Sequence, residues 1–420
     1  MTTATFFAAS CSAATAAAAP PVAAASVAAL INDNTRSQDC IYLDNAAASP
    51  LDRRVLDVMF SVFSKDVIGN AHAKHHPFGG ASAMTVQKAR EQVAESIGAN
   101  PNEIVFTSGA TESNNLIIKG LARHLKASGR TRIITAVVEH KSILEPLAQL
   151  KAAGFEVIAM PVKPCGMITA DVIERVIDER TGLVCVQAVN NETGTIQPLA
   201  KIAEVLAERN ILFHSDAAQA LGKVPFSVPA AGVDFASLSA HKVYGPHGIG
   251  AAYVRADKLR LLEPLHAGGG QELGVRSGTL PVALCAGFGT ACSLIEDDRE
   301  RLQALRTSLI ERIAPLEPVI YGHRELRCNV PGILNIRFPG IDSETLIMAL
   351  PGLAVGTGSA CSSAGARLSH VIQAITGEEQ AARESIRLSF GRLTTEHEMD
   401  RAAEQIFVAI TSIRQLQEVA

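Results

Sequence analysis

The sequence lacks the cysteine pairs and the one-sided charge that mark several common protein classes. Its eight cysteines are scattered without paired spacing, and none forms the C-x-x-C clips expected of zinc or iron–sulfur ligation. Lys and Arg number 38 and Asp and Glu 42, so the formal net charge of -4 does not indicate a nucleic-acid or anionic-membrane partner. We therefore expect small molecules and other proteins as partners, in a reducing compartment.

The N-terminal segment lacks basic side chains before Arg36, which argues against two common targeting signals. A secretory signal begins with a charged region, and a mitochondrial presequence places arginines on an amphipathic face. Pro20 and Pro21 interrupt the alanine-rich run, which makes it a poor membrane span. We interpret residues 1–36 as a disordered tail and expect a cytoplasmic protein. The alternative is an uncharged plastid-type transit peptide, which would give an organellar address.

The length of 420 residues and the 47% apolar content allow two domains, each with a core of its own. From Ile41 onward, short β-branched runs alternate with segments of helical periodicity, as in a mainly parallel sheet covered by helices. The candidate strands are Glu103–Phe106, Arg132–Val138, Glu156–Met160, Leu183–Val189, Ile211–His214, Phe235–Ser237 and Gly250–Val254. This pattern predicts a large α/β domain at 37–295 with a seven-stranded, mainly parallel sheet.

The pattern changes to α+β in the last third of the chain. A polar helix at Leu294–Arg312 is followed by separate strands at Gly332–Phe338 and Ser385–Ser389 and by a closing helix from Thr395. We predict a smaller C-terminal domain at 296–420. The strand at Ile41–Leu43 is a candidate to join it from the N-terminal side.

A small glycine-containing turn joins the first predicted strand of the large sheet to the following helix. In the run from Thr107 to Glu112, free backbone N–H groups and the positive end of the helix dipole would face an anion, and Thr111 adds a hydroxyl. Open α/β sheets place their ligands at such loops. The alternative is a simple N-cap with Glu in the first turn.

Two further loops carry a carboxylate and an amine. Asp216 ends an apolar strand, where it can pair with a protonated pyridine nitrogen, although an N-cap is the simpler role. Lys242 follows a buried strand among small residues, where an amine is costly to desolvate. Formation of a Schiff base is one established reason to place a lysine there, and a surface lysine is the alternative.

The ordered set of motifs from Tyr42 to the C-terminus resembles the cysteine desulfurases of NifS and IscS type, within the class V aminotransferase branch of fold-type-I pyridoxal-phosphate (PLP) enzymes. The motifs are LDNA from Leu43, FTSGATESNN from Phe106, VEHKS from Val138, VNNETG from Val189, DAAQALGK from Asp216, SAHKVYGP from Ser239, GGGQE from Gly268, RSGTLP from Arg276, GSACSSAG from Gly358 and SIRLSFGR from Ser385. The resemblance implies the fold-type-I PLP-dependent transferase fold, a large domain followed by the smaller α+β domain.

The resemblance also implies a role for individual residues. Lys242 would hold PLP as a Schiff base and move protons, and His140 would stack on the ring and act in acid–base steps. Asp216 would pair with the ring nitrogen and Gln219 would bond the phenolic oxygen. Asn191 and Arg387 would bind the substrate carboxylate, Asn191 also contacting the cofactor. The phosphate would be held by Ala110, Thr111, Ser239 and His241, with Thr279 reaching in from the second subunit of a homodimer.

The resemblance implies an enzyme that converts L-cysteine to L-alanine and transfers the sulfur to Cys361 as a persulfide. Cys361 lies in a run of small residues that we expect to be a mobile surface loop, and an ordinary exposed thiol is the alternative. A sulfur-acceptor protein would then use the persulfide for iron–sulfur cluster or other sulfur-containing biosynthesis. A resident metal is not expected, beyond a transient encounter of Cys361 with an iron–sulfur cluster.

Two alternative functions share part of this pattern. Selenocysteine lyases have similar NNETG and DAAQALGK runs, and a catalytically silent scaffold would bind sulfur-transfer partners without turnover. The intact Lys242, Asp216 and Cys361 argue against the scaffold, and an aminotransferase would not use Cys361. The cluster of His72, His75 and His76 departs from the family pattern, and we interpret these histidines as loop residues near the cofactor entrance.

Overall fold

The computed structural model of the protein describes residues 40–63, 69–356 and 368–419. The predicted tail at 1–36 and the proposed nucleophile Cys361 lie outside these residues. The described residues from Ile41 onward form one compact unit. Among the described residues, no helix is both long enough and apolar enough to cross a bilayer.

Seven of the described strands form the central sheet, as predicted. They are β2 (Ile104–Thr107), β3 (Arg132–Ala136), β4 (Glu156–Met160), β5 (Thr181–Cys185), β6 (Leu212–Asp216), β7 (Phe235–Ser239) and β8 (Gly250–Val254). Their spatial order is β2-β8-β7-β6-β5-β3-β4. Every pairing is parallel except those of β8, which runs antiparallel to both β2 and β7. The prediction of a mainly parallel seven-stranded sheet is therefore confirmed.

Helices cover both faces of the sheet. The helices of the described chain are α1 (Arg53–Phe63), α2 (Pro77–Ser96), α3 (Ala110–Gly120), α4 (Ala122–Ala127), α5 (Lys141–Ala152), α6 (Ala170–Val176), α7 (Leu199–Ala207), α8 (Val228–Ala231), α9 (Val282–Ser293), α10 (Arg299–Ile313), α11 (Ser343–Met348), α12 (His370–Thr376), α13 (Glu379–Arg383) and α14 (Glu396–Val419). Alternate residues of a strand point to opposite faces, so Phe106 packs in one hydrophobic core and Val105 in another. Burial on both faces explains why the strands are apolar along their whole length.

A third core lies among the C-terminal elements. It contains the three-stranded antiparallel sheet of β9 (Val319–Tyr321), β10 (Ile333–Arg337) and β12 (Ser385–Ser389), in the order β12-β10-β9. The short strand β1 (Ile41–Tyr42) pairs in parallel with β11 (Leu353–Ala354) beside it. On this separation of cores we propose the domain boundary near residue 296, with β1 belonging to the smaller part.

Candidate active site

Three strands of the central sheet end at the same edge and bring their loops together. Thr107 at the end of β2 and Ser239 at the end of β7 are both paired with Gly250. A side chain on Gly250 would lie 2.6 Å from the Cα of Gly109, so only glycine lets the β2–α3 loop pack this closely. Asp216 ends the neighbouring strand β6, opposite Ser237.

The predicted phosphate site lies where α3 begins. Ala110 opens this helix, so its first backbone N–H groups have no partners within the helix. Ser239 Oγ lies 3.0 Å from His241 Nδ1 and faces the space beside Gly109. Burial, together with the positive charge of Lys242, lowers the pKa of His241 to about 4, so this ring is neutral at physiological pH. The arrangement offers neutral donors to an anion.

Thr279 is exposed at the surface of the described chain. It follows Arg276, whose guanidinium pairs with Glu112 at 2.9 Å. Glu112 also accepts a hydrogen bond from the backbone N–H of Ser108 at 2.7 Å. One carboxylate therefore fixes both the turn before α3, where the phosphate site is predicted, and the segment that carries Thr279. The contact of Thr279 with a second subunit stays a prediction.

Asp216 and His140 are linked through the buried side chain of Asn114 and through Ser142. Asp216 is 8% exposed; its Oδ1 accepts from Ala218 N at 3.0 Å and its Oδ2 from Asn114 Nδ2 at 2.8 Å. His140 caps α5, with Nδ1 accepting from Ser142 N at 3.1 Å. A carboxylate with two fixed donors is held as an acceptor in one orientation, as a partner for a ring N–H must be.

The amine of Lys242 is held by the main chain of the segment after β1. Lys242 follows β7 in a short 3-10 turn, and its Nζ donates to the carbonyls of Ala46 at 2.7 Å and Ala47 at 2.6 Å. Gln219 Nε2 donates to the same carbonyl of Ala46 at 2.8 Å. Burial and the charge of Lys242 lower the pKa of Lys223 to about 7, and its Nζ donates to the Lys242 carbonyl at 3.1 Å.

The segment around Ser49 fastens this lysine turn in place. Ser49 N and Ser49 Oγ both donate to the carbonyl of His241, at 2.8 and 3.0 Å, and Ser49 Oγ accepts from Tyr244 N at 2.7 Å. Tyr244 has a φ of 62°, an uncommon conformation for a residue with a side chain. Ser49 therefore stabilises a strained turn directly after Lys242.

Arg387 lies on β12 and is 2% exposed. Its Nη2 pairs with Asp44 at 2.6 Å and its Nη1 donates to the carbonyl of Asn191 at 3.0 Å. Its Nε has no hydrogen-bond partner among the described residues. Gly356 faces this edge of the guanidinium, because an added Cβ would lie 3.0 Å from Nη2 and 3.4 Å from Nε. A buried cation with one edge that has no hydrogen-bond partner among the described residues is suited to a carboxylate ligand.

Two buried glutamates lie in the loops after β3 and β5. Glu139 precedes His140 and Glu192 follows Asn191. Glu139 accepts from Gln187 N at 2.9 Å, and burial raises its pKa well above the ordinary range. Glu192 accepts a short hydrogen bond from Ser369 Oγ, and burial raises its pKa to about 7 against the opposing charge of Arg387. Both carboxyls therefore hold a proton over part of the range in which an exposed glutamate would be ionised.

Comparisons with known proteins agree with this geometry. The family model described as "Aminotransferase class-V" matches residues 41–402. Mouse cysteine desulfurase is 42% identical over 380 residues, covering 90% of this chain and 82% of the relative. The chain belongs to the cysteine desulfurases of the class-V aminotransferase family. The resemblance inferred from the motifs is confirmed.

Solved structures support the same membership. A structure named "NIFS-LIKE PROTEIN" is 35% identical with a TM-score of 0.81, covering 89% of this chain and 99% of that one. Another, "SspA in complex with cysteine", is 37% identical with a TM-score of 0.73, covering 83% and 98%. Membership of the class-V family implies the cofactor PLP.

Several site residues of this desulfurase were not singled out from the sequence. They lie inside the motifs that carry the resemblance, but nothing local indicates their contacts. These residues are Asp44 in LDNA, Asn114 in FTSGATESNN, Glu139 and Ser142 in VEHKS, and Glu192 in VNNETG. The signal that could have found them is their nearness in sequence to residues already singled out, as for Glu139 beside His140 and Glu192 beside Asn191.

The histidine cluster has a structural role at one of its positions. His76 caps α2, with Nδ1 accepting from Gly79 N at 3.0 Å. The His75 ring meets the His76 ring edge-on with centroids 4.8 Å apart. In the described parts of the chain, no group of three or more His, Cys, Asp or Glu residues is arranged to hold a metal.

The pKa of Glu192 gives a prediction for stability. An unfolded glutamate ionises above about pH 4.3, whereas folded Glu192 keeps its proton up to about pH 7, so its contribution is fully present below pH 4.3 and is lost as the pH rises to 7. We expect Glu192→Gln, which cannot ionise, to be more stable than the parent by up to about 3 kcal/mol at pH 8 and about equal at pH 4. Urea unfolding at the two pH values measures this difference. Exposed Glu145→Gln is the control, and an equal gap at both pH values would contradict the assignment.

Proposed function

We propose that this chain is a PLP-dependent cysteine desulfurase that converts L-cysteine to L-alanine and leaves the sulfur on Cys361. The observation that carries the proposal is the meeting of three groups at one edge of the sheet: the start of α3, Asp216 and Lys242. Family membership supports the activity, and the neighbour solved in complex with cysteine supports the substrate class.

The residues of the site fit PLP. Ala110, Thr111, Ser239 and His241 would hold its phosphate, since the helix start and the Ser239–His241 pair present donors to an anion. Asp216 would face the ring nitrogen and His140 the ring plane. Gln219 would bond the phenolic oxygen with the second hydrogen of its Nε2, because only one is used on Ala46. When bound, PLP supplies an electron sink next to the substrate's α-carbon.

Lys242 would act at its Nζ, first as the attachment point of the cofactor and then as the group that moves protons. The carbonyls of Ala46 and Ala47 give this amine a defined resting position when it is not attached. Asn191 would serve both cofactor and substrate from the loop after β5, and its carbonyl already fixes Arg387. Three further parts of the proposal are predictions. They are a sulfur-acceptor protein, a homodimer in which Thr279 contacts the cofactor site of the second subunit, and a cytoplasmic location.

The test of the function is product formation. The purified protein should release alanine and sulfide in equal amounts from L-cysteine in the presence of a thiol reductant. The same assay with L-selenocysteine separates the two enzyme classes. Turnover of selenocysteine alone would replace the proposal by a selenocysteine lyase, and turnover of neither would leave a scaffold.

Gly356 gives a sharper prediction for substrate binding. Its φ lies outside the left-handed region, so the backbone accepts alanine, but the new methyl would lie 3.1 Å from Asp44 Oδ1 and 3.0 Å from Arg387 Nη2. We expect Gly356→Ala to raise the KM for L-cysteine by about tenfold or more, with PLP binding unchanged, because the methyl fills the space of the substrate carboxylate. Steady-state kinetics and a PLP titration measure the two effects. Gly80→Ala, which meets no atom within 4 Å, is the matched control. An unchanged KM would place the carboxylate elsewhere.

A further inference from the structure

Asn114 lies between the two residues proposed to contact the cofactor ring. It is on α3 and is 0% exposed, and its Nδ2 donates to Asp216 Oδ2 and to Ser142 Oγ, each at 2.8 Å. Ser142 Oγ in turn lies 2.7 Å from His140 Nδ1. The four side chains of Asp216, Asn114, Ser142 and His140 form one hydrogen-bonded chain, which we call the Asp216–His140 relay.

The direction of each bond in the relay follows from its donors and acceptors. An amide NH₂ group only donates and the Asp216 carboxylate accepts, so both hydrogens of Asn114 Nδ2 are used. Turning the amide over would place Asn114 Oδ1 against the carboxylate and remove both donors. Because the Ser142 oxygen accepts from Asn114, its own hydroxyl proton is free to point at His140 Nδ1.

The relay also fixes the tautomer of His140. The backbone N–H of Ser142 donates to His140 Nδ1 at 3.1 Å, and a backbone N–H can only donate. Nδ1 must therefore carry a lone pair, and the proton of the neutral ring is on Nε2. Two donors from one residue, Ser142, hold the imidazole in this state.

A role in packing alone does not explain Asn114. Its Oδ1 is buried and has no hydrogen-bond partner among the described residues, which costs stability. An apolar residue of similar size would avoid that cost. What the asparagine provides is its pair of donors, and both are spent on the relay.

We propose that Asn114 and Ser142 are positioning residues that hold Asp216 as an acceptor for the ring nitrogen and His140 as the Nε2–H tautomer over the ring plane. This inference rests on the proposed function, since it assumes that the cofactor ring contacts both Asp216 and His140. It adds two residues that touch neither cofactor nor substrate. They act by holding Asp216 and His140, the two groups that would contact the cofactor, in fixed positions relative to each other.

The first test compares neighbouring asparagines on the same helix. Asn115 Nδ2 donates only to the carbonyl of Thr111, one turn earlier, so Asn115→Ala is the matched control for Asn114→Ala. We expect Asn114→Ala to lower kcat by on the order of 10- to 100-fold with the KM for L-cysteine unchanged, because Arg387 lies outside the relay. Asn115→Ala should stay within about twofold of the parent. Equal kcat values in the two variants would overturn the proposal.

The second test is a double-variant cycle of Asn114→Ala and Ser142→Ala. Ser142→Ala breaks the relay at the next link. If the two residues act as one unit, Asn114→Ala with Ser142→Ala should lose no more than about twofold beyond the worse single variant. A loss equal to the product of the single losses would show independent roles and contradict the relay.

A third measurement determines the tautomer of His140 directly and does not depend on turnover. In the holoenzyme labelled with ¹⁵N-histidine, the ring-nitrogen shifts of His140, assigned by their absence in His140→Asn, should show the Nε2–H tautomer. In Ser142→Ala the Nδ1 shift should change because the hydroxyl donor is lost, while the ring stays the Nε2–H tautomer because the backbone N–H of residue 142 still donates to Nδ1. A proton on Nδ1 in the parent would refute the proposal. Failure of the desulfurase assignment would look different, because the parent itself would then release no alanine.

Discussion

Lys242→Ala should bind PLP weakly and release no alanine from L-cysteine. Since the loss of a residue that is covalently involved abolishes the chemistry itself, we expect the rate to fall by at least about a thousandfold. The fold should survive, because the side chain is half-buried and its Nζ donates to two main-chain carbonyls, of Ala46 and Ala47. The prediction therefore separates chemistry from stability.

Two measurements check this prediction together. Alanine release gives the rate, and borohydride treatment followed by peptide mass spectrometry shows which lysine carries PLP. The label should map to the peptide with Lys242 in the parent and be absent there in the variant. Exposed Lys201→Ala, on α7, controls for nonspecific labelling of surface amines. Normal turnover by Lys242→Ala, or a stoichiometric label on another lysine, would end the assignment.

The strands could be predicted where local composition decides them. β4 and β8 occupy the residues predicted, since each is a short β-branched or small-residue run that follows a glycine-containing turn. β6 extends past its predicted end at His214 to Asp216, through polar residues that look like loop. The extension has a tertiary cause: Asp216 at its end accepts hydrogen bonds from Asn114 Nδ2 on α3 and from Ala218 N, and His214 Nε2 lies 3.0 Å from Ser237 Oγ on the adjacent strand.

The site was predictable as a set of loops but not as a network. The sequence places Asp216 and Lys242 after strands, and parallel strands bring such ends together. The contacts of Asn114 join residues 28 and 102 positions away, and Arg387 meets Asp44 at a separation of 343 positions. No local pattern reports pairs at these distances, because they depend on how the strands are ordered and on which face of α3 is turned inward.

The buried cysteines narrow the choice of nucleophile. Burial raises the pKa of Cys285 and of Cys292 to about 12 and raises the pKa of Cys185 well above its ordinary range. The thiolate is the reactive form, so these three thiols are inert at neutral pH. Among the cysteines of the described residues, Cys40 is exposed and Cys165 and Cys328 are half-buried. The competing candidates for Cys361 are thus few and can be tested one by one.

Cys361→Ser should keep cofactor binding and lose sulfur release. The proposed step joins the thiolate sulfur of Cys361 to the sulfur of L-cysteine and breaks the carbon–sulfur bond, so that L-cysteine and one thiol give L-alanine and one persulfide. A serine hydroxyl is a far weaker nucleophile at neutral pH, whereas Lys242, Asp216 and Arg387 are untouched. We expect PLP and L-cysteine still to bind, with alanine formation reduced by at least about a thousandfold.

Mass spectrometry of the parent enzyme locates the sulfur. After incubation with L-cysteine without reductant, the peptide containing Cys361 should gain one sulfur atom, about 32 Da, and prior alkylation should prevent this gain because the thiolate is the nucleophile. Cys328→Ser is the control, since this half-buried thiol lies outside the site and its loss should leave alanine formation unchanged. A persulfide on Cys328 or Cys40, or stoichiometric alanine from Cys361→Ser, would show that another thiol accepts the sulfur. The cofactor residues would keep their assignment in that case, because it rests on contacts among the described residues.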